Sequence, residues 1–502
     1  MRTRFRGRLI NIGLSLLVLL SILFSLFKVF SFKYADGIYD LEMLYKQPDN
    51  SIDVLFLGSS HVFENVNTGL LWTEYGYAAY DLCGSIQPIW NSYYYLNEAL
   101  KTQNPSVVVL DVFSMTLSDE YSDYSRIVKN TQGMKLSEDK IEAIKASSRK
   151  KEVISHVLEY PTFHSRYDGD ISREDFFGRP KDVYLGNDWK GYLPNFGHQS
   201  FEKPVIRTSS KDVPIPEKNF KYLKKIVELT ADKEIPLVLI VGPYVINADG
   251  NDYESQISIY NKVKSYAEEN NVLFIDYNNY YDDIGLDFSK DYADYEHLSY
   301  DGANKYTRFL ANSLLSKYNL ADHRGDSAYG TYDRMLIELA HMVQNNAIKE
   351  NTDYEYYFSF LGNEDYCIMI SLQGDYKNAS NYHEIENVLL SNGCLINNKD
   401  DSYVCVMNGS NCLFSDNVTG EEVYSKAIDR YTSVCVEKKM MSNEEPNDSD
   451  SEKKQLYYYI NTDAFVLNDK GMSIVIYDKA EKKVIAAKSY IQSNGIISKN
   501  GI

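Results

Sequence analysis

The run Ser106–Val112 (Ser-Val-Val-Val-Leu-Asp-Val) constrains the fold more than any other stretch of the chain. β-Branched side chains are stiff and pack well on a pleated surface. A run of them without polar alternation suits a strand covered on both faces, the condition of parallel sheets flanked by helices. The surroundings repeat this theme. Ile52–Leu57 and Ala78–Leu82 read as strands, and Pro88–Leu100 reads as a helix with apolar positions at Ile89, Trp90, Tyr93, Tyr94, Leu96 and Leu100. After a break, the helix Pro216–Ala231, strand Pro236–Val241, helix Tyr253–Asn270, strand Val272–Asp276 and helix Gly302–Lys317 continue the alternation. The expected fold class is α/β, a doubly wound parallel sheet.

The first of these strands ends in Leu57-Gly58-Ser59-Ser60-His61. In open α/β sheets, ligands bind in the crevice outside the carboxyl ends of the strands. A hydroxyl there becomes a nucleophile when a base held by a carboxylate takes its proton. The chain offers such a pair in Asp294-Tyr295-Glu296-His297. Taken singly, Ser60 reads equally well as a helix N-cap and His297 as a surface-turn histidine; taken together with Asp294, they favour a Ser-His-Asp site. His61 and Glu64 flank the serine and suit substrate contact or a solvated helix start. A carboxylate at Asp111 orients a neighbour or binds substrate hydroxyls. His164 and Arg166 lie in the stretch Phe163–Tyr167 and read either as a clamp on an anionic group or as ordinary surface-loop residues.

The two blocks, Gly58-Ser59-Ser60 and Asp294-x-x-His297, resemble the SGNH (GDSL-type) hydrolase and acyltransferase superfamily over roughly Ile52 to Leu315. The resemblance implies Ser60 as nucleophile, with His297 and Asp294 completing the catalytic set. Ser59 stands where that family usually has Asp. Gly-Ser-Ser variants look like its membrane-anchored branch, which includes the D-alanyl-lipoteichoic acid transfer protein. The resemblance also implies an oxyanion hole built from the backbone amides of Ser60 and Gly84. The family's Gly-x-Asn-Asp block, source of a third donor, has no counterpart after Leu110-Asp111-Val112-Phe113, and Gln87, close behind Gly84, is the substitute donor.

The amino terminus carries Arg2, Arg4, Arg6 and Arg8, followed by an uncharged run from Leu9 to Phe27. About 20 apolar residues span a bilayer core, and basic residues before the span place the amino terminus in the cytoplasm. A single-pass membrane anchor is expected, with the body outside. A cleaved signal peptide is the rival reading, against which stand the length of the run and the lack of an Ala-x-Ala site. A net charge of −19 disfavours nucleic acid as a partner. The 44 tyrosines fit a carbohydrate-stacking surface or, more blandly, a compositional bias.

The expected organisation is a basic tail (1–8), an anchor (9–29), a juxtamembrane linker (30–51) and a catalytic domain (52–318) carrying an insertion (113–214). A linker and amphipathic helix (319–350) then lead to a β-rich accessory domain (351–502). The strand-like runs there are Tyr366–Leu372, Ser402–Met407 and Met472–Tyr477. The ending Asn461–Ser489 loosely resembles interleukin-like, FAM3-type domains, which implies binding of a sugar or partner. Cys367, Cys394, Cys405, Cys412 and Cys435 fall in this part. An oxidising exterior would permit disulfides among them, and their spacing matches no zinc pattern. No metal or cofactor is expected.

Two functions compete. One is a cell-surface O-acyltransferase or esterase acting on an extracellular glycopolymer through an acyl-Ser60 intermediate, fed by a membrane-bound acyl donor protein. The other is a catalytically weak or inactive module that binds glycan or a biosynthetic partner. A lipase fits less well, because no second apolar lid segment is evident.

Overall fold

A computed structural model describes residues 2–118, 120, 124–158, 175–176, 189–205, 208–246, 252–396, 402–418, 423–430, 432–440, 454–461, 463–466 and 470–499. The chain divides into two compact units, one up to Ala340 and one from His341 onward.

The first unit is built on five parallel strands: β1 (Val54–Gly58), β2 (Ala79–Cys83), β3 (Val107–Asp111), β4 (Leu237–Val241) and β5 (Leu273–Asp276). Their order in the sheet is β2-β1-β3-β4-β5. Alternate residues feed two separate cores. Leu55, Leu57, Val108, Leu110, Leu239 and Val241 pack on one face with the helices α3 (Ile89–Ala99), α4 (Glu217–Asp232) and α5 (Tyr253–Glu269). Val54, Phe56, Val107, Val109, Val238 and Ile240 pack on the other with α2 (Ser60–Phe63) and α6 (Tyr300–Ser313), through Val62, Phe63, Tyr306 and Leu310. Both faces are covered, which is why these strands carry apolar residues throughout. The fold is a doubly wound α/β sheet. Helix α6 starts two residues earlier than the apolar pattern suggests, because the Ser299 side chain accepts from the Gly302 amide and caps it.

Helix α1 (Arg2–Phe30) contains a stretch, Asn11–Phe30, of mean hydropathy 2.4 with none of it buried. It is long and apolar enough to cross a membrane. The stretch after it departs from the linker expected there. Leu41 and Leu44 are buried in the sheet's core, and the Tyr80 hydroxyl donates to the Asp40 carbonyl at 2.7 Å. The early part of the expected insertion likewise joins the main core. Met115, Met134 and Ala143 pack there, and the Trp90 indole donates to Ser147 Oγ at 3.0 Å.

The second unit holds two antiparallel sheets. The larger comprises β6 (Tyr366–Gln373), β7 (Ser402–Asn408), β8 (Asn411–Asn417), β13 (Gly471–Asp478), β14 (Lys483–Ser493) and β15 (Ile496–Ile497), in the order β15-β14-β13-β6-β7-β8. The smaller runs β12 (Asp463–Val466), β11 (Lys454–Ile460), β10 (Ser433–Met440), β9 (Val423–Ala427). Ile368, Ile370 and Leu372 of β6 face a core shared with Ile385 and Leu389. Cys367 and Met369 face Val434, Val436 and Leu456 of the smaller sheet.

If residues 35–44 are an integral layer, Leu41→Ala should cost about 2–5 kcal/mol in denaturant unfolding. A residue in a free connector would change stability by no more than about 0.5 kcal/mol.

Candidate active site

The chain passes from β1 to β2 on one side and then to β3 on the other, so the sheet order reverses at the carboxyl ends of β1 and β3. This is the position at which open α/β sheets form a crevice. Gly58 is the last residue of β1 and pairs with Cys83 of β2. A Cβ on Gly58 would lie 2.6 Å from Val62 Cγ2 and 2.9 Å from Asp111 Cβ, so no larger residue fits beneath the turn. Ser59 is buried, and half-buried Ser60 opens α2.

The histidine arrives from a short hairpin. Tyr292 and Leu298 form an antiparallel bridge, and the Ala293 amide donates to the His297 carbonyl at 3.0 Å. Inside the turn, Asp294 Oδ1 accepts the amides of Glu296 at 2.8 Å and His297 at 2.9 Å. Nδ1 of His297 lies 2.9 Å from both oxygens of the same carboxylate. The three-residue spacing thus has a physical reason: one aspartate closes the turn and holds the ring. The bond to an ionised carboxylate assigns the proton to Nδ1 and leaves Nε2 as the free base. Burial alone would lower the His297 pKa, but the Asp294 bond and the charges of Glu64, Asp294 and Glu296 raise it above the ordinary value. Asp294 is held below the usual carboxylate range: burial pushes it up, and the His297 bond and charge outweigh that.

Helix α2 and the residues after it bring this loop to the serine turn. The Leu298 amide donates to Asn65 Oδ1 at 2.9 Å. Glu64 Oε1 lies 4.0 Å from His297 Nε2, and Asn195 Nδ2 donates to Glu64 Oε2 at 2.7 Å. His297 Nε2 is buried and takes no hydrogen bond from any described residue. Base–nucleophile contacts often tighten only when substrate is present.

Gly84 follows β2 directly, beside the β1 serine turn. A Cβ there would lie 2.5 Å from Asn130 Oδ1 and 3.4 Å from Gly37 Cα, so the position demands glycine. Ser85 is gripped by the segment after α1: Asp36 Oδ2 accepts its amide at 2.7 Å and its hydroxyl at 2.6 Å. Lys129 Nζ lies 3.1 Å from Asp36 Oδ1 and donates to Ser85 Oγ at 3.2 Å.

Three other sequence candidates are buried in the structure. Gln87 is fully buried and its Nε2 donates to Ser92 Oγ at 3.0 Å, so one of its two N–H groups is already engaged. Asp111 is 1% exposed, and its two oxygens accept the Phe113 and Gly242 amides, both at 2.9 Å. It thus orients neighbouring backbone, the first of its two readings, and burial pushes its pKa up to about 6 against those two bonds. His61 is 2% exposed and stacks on Phe113 at 3.8 Å between ring centroids, with the His297 ring at 5.7 Å. It backs the site as an apolar wall, its pKa pushed well down by burial and then by the neighbouring His297. His164 and Arg166 lie outside the described residues. Asp36, Asn65, Asn130 and Asn195 carry no local signal: each acts on a residue far along the chain, so motif and spacing do not reveal them.

A protein-family profile matches residues 199–319. No curated protein matches the chain. Among solved structures, it is similar to a candidate acylhydrolase from Bacteroides fragilis at 14% identity and TM-score 0.28, with 57% of this chain and 99% of that one covered. It is also similar to a GDSL-like lipase from Bacteroides thetaiotaomicron at 11% identity and TM-score 0.28, covering 56% and 98%. A gut microbial diltiazem-metabolizing enzyme shows 12% identity and TM-score 0.27, covering 56% of this chain and 49% of that one. Likenesses this distant add nothing to the chemistry of the site, which stands on its own geometry.

Asp111→Asn replaces one acceptor with an amide group facing an N–H. It should destabilise the first unit by about 1–3 kcal/mol, read from the denaturant midpoint. An unchanged midpoint would contradict the role given to this carboxylate.

Proposed function

We propose that this chain is an SGNH-type serine enzyme, an O-acyltransferase or esterase that acts on an extracellular glycopolymer through an acyl-Ser60 intermediate. The observation that supports this most is the Asp294–His297 pair, its proton directed to Nδ1, on a loop that Asn65 ties to the segment following Ser60. In the proposed cycle, Ser60 Oγ attacks the ester carbonyl carbon while its proton passes to His297 Nε2. The tetrahedral oxyanion takes hydrogen bonds from the Ser60 and Gly84 amides, and preorganised donors of this kind are worth about 3 kcal/mol each. Collapse expels the alkoxide, which takes the proton from Nε2. A sugar hydroxyl or water then gives its proton to Nε2 and attacks the acyl-serine, and Ser60 Oγ leaves taking that proton back from Nε2. Glu64, 4.0 Å from Nε2, stabilises the imidazolium formed in each half-reaction.

Helix α1 serves in this reading as a single-pass anchor with a cytoplasmic amino terminus. The body would lie on the outer face, where a membrane-bound donor protein could load Ser60. The second unit serves as an accessory domain that binds sugar or a partner, in keeping with its loose FAM3-type resemblance. A second reading, a glycan-binding scaffold without turnover, draws on the resting state of Nε2, which no described residue bonds.

A fluorophosphonate probe with intact-mass readout separates the two. The full chain in detergent should gain one label, and Ser60→Ala or His297→Ala should lower the labelling rate by about 10⁴-fold or more. A folded chain that takes no label favours the scaffold.

The labelling rate should also depend on pH. His297 works as a base only when neutral, so the rate should fall as pH drops through its pKa, which is raised above the usual ~6.5. Glu64→Gln removes a charge that favours the imidazolium. It should move this acidic limb to lower pH by several tenths of a unit to about one unit.

A further inference from the structure

Four sulfur atoms meet in the helix-covered core of the second unit. Cys394 leaves the turn after the helix α7 (Tyr382–Ser391), Cys405 lies in β7, and Cys412 lies in β8. Their three Sγ atoms all lie within 4.8 Å of one another. Cys394 Sγ lies 2.9 Å from Cys405 Sγ and 3.5 Å from Met407 Sδ. The hairpin register explains the convergence: Met407 pairs directly with Cys412, two residues along β7 from Cys405. The Cys394 amide donates to the Leu389 carbonyl at 3.0 Å, which brings the chain back over the sheet. Linear spacing conceals the group, because the sulfurs come together through strand pairing and not through a short Cys-x-x-Cys loop.

We propose that these residues form a binding site for a soft, thiophilic metal ion, with Cys394, Cys405 and Cys412 as thiolate ligands and the Met407 thioether as a fourth, weaker donor. Metal–thiolate bonds of about 2.3 Å set sulfurs around one ion roughly 4 Å apart; the three Sγ atoms already lie within 4.8 Å of one another, and the Cys394–Cys405 pair, now at 2.9 Å, would open by about 1 Å to admit the ion. A disulfide uses two sulfurs and leaves the third without purpose; a single ion uses all of them. Donor type narrows the choice. Oxygen ligands suit hard ions, whereas thiolate and thioether ligands suit Cu(I), zinc and iron–sulfur clusters; of these, the soft Cu(I) ion is the one the thioether donor favours. The surroundings fit as well. Cys394 and Cys405 are 1% and 0% exposed in an apolar shell that shields bound metal from water, and half-exposed Cys412 gives a path of entry. The remaining cysteines of this unit are elsewhere; Cys367 points to the opposite face of the sheet.

The test is transfer of Cu(I) from a coloured chelator to the reduced, detergent-solubilised full chain under anaerobic conditions, followed by loss of the chelator's colour. One equivalent should transfer to the native protein. Cys405→Ser and Cys412→Ser should each weaken binding by tenfold or more, and Cys367→Ser should leave it unchanged. Because Cys405 is wholly buried, near-ultraviolet circular dichroism must show each variant folded, and half-exposed Cys412 supplies the variant least prone to misfold. The proposal is overturned if the folded, reduced chain takes no copper, or if Cys367→Ser loses copper as fully as Cys412→Ser does. It is also overturned if the chain isolated from cells without reductant carries a disulfide among the three cysteines and no metal.

Discussion

One buried carboxylate holds the candidate site in register. Asp111 ends β3, receives the amides of Phe113 and Gly242, and presses its Cβ against the Gly58 backbone. It thereby ties the carboxyl ends of β3 and β4 and packs beside that of β1. Burying the charge is costly, and the upward pull on its pKa records that cost. Two amide donors offset part of it. An apolar residue could not do the same work, because it would leave both amides without an acceptor in a dry interior.

The same double use recurs across the site. Asp294 closes its own turn through Oδ1 and fixes the His297 tautomer with both oxygens. Asn65 joins the helix after the serine to the loop bearing the histidine. The two halves of the site are therefore held by short polar contacts between backbone and side chain, over a sheet whose apolar residues supply the rigidity. The oxyanion side is built differently. There Gly84 is hemmed in by Asn130 and by the segment following α1, and space, not bonding, dictates the residue.

Much of the sheet was legible in the sequence, because a strand buried on both faces leaves an unbroken apolar run, as Val107–Leu110 does. The strand limits moved by only a residue or two. The contact between Asp294 and His297 was legible for a related reason: both residues belong to one turn, so spacing alone brings them together. Gln87 and the choice between two roles for Asp111 could not be decided locally, because a polar side chain near a strand end can face the crevice or the interior, and only tertiary packing decides which. Asp36 and Asn65 escaped notice because their partners lie far along the chain. Within the stretch expected as an insertion, Ala143 and Ile144 are enough to bury one side of the otherwise charged helix Glu138–Ser147.

The grip of Asp36 on Ser85 sets a working distance. Asp36 lies only six residues beyond the end of α1 at Phe30, and a fully extended chain of that length reaches about 20 Å. With α1 held in a bilayer, the Gly84 side of the crevice cannot swing away on a tether, because its own wall is the chain that leaves the membrane. Whatever enters that side of the crevice would have to come down close to the lipid surface, within a reach set by six residues of backbone.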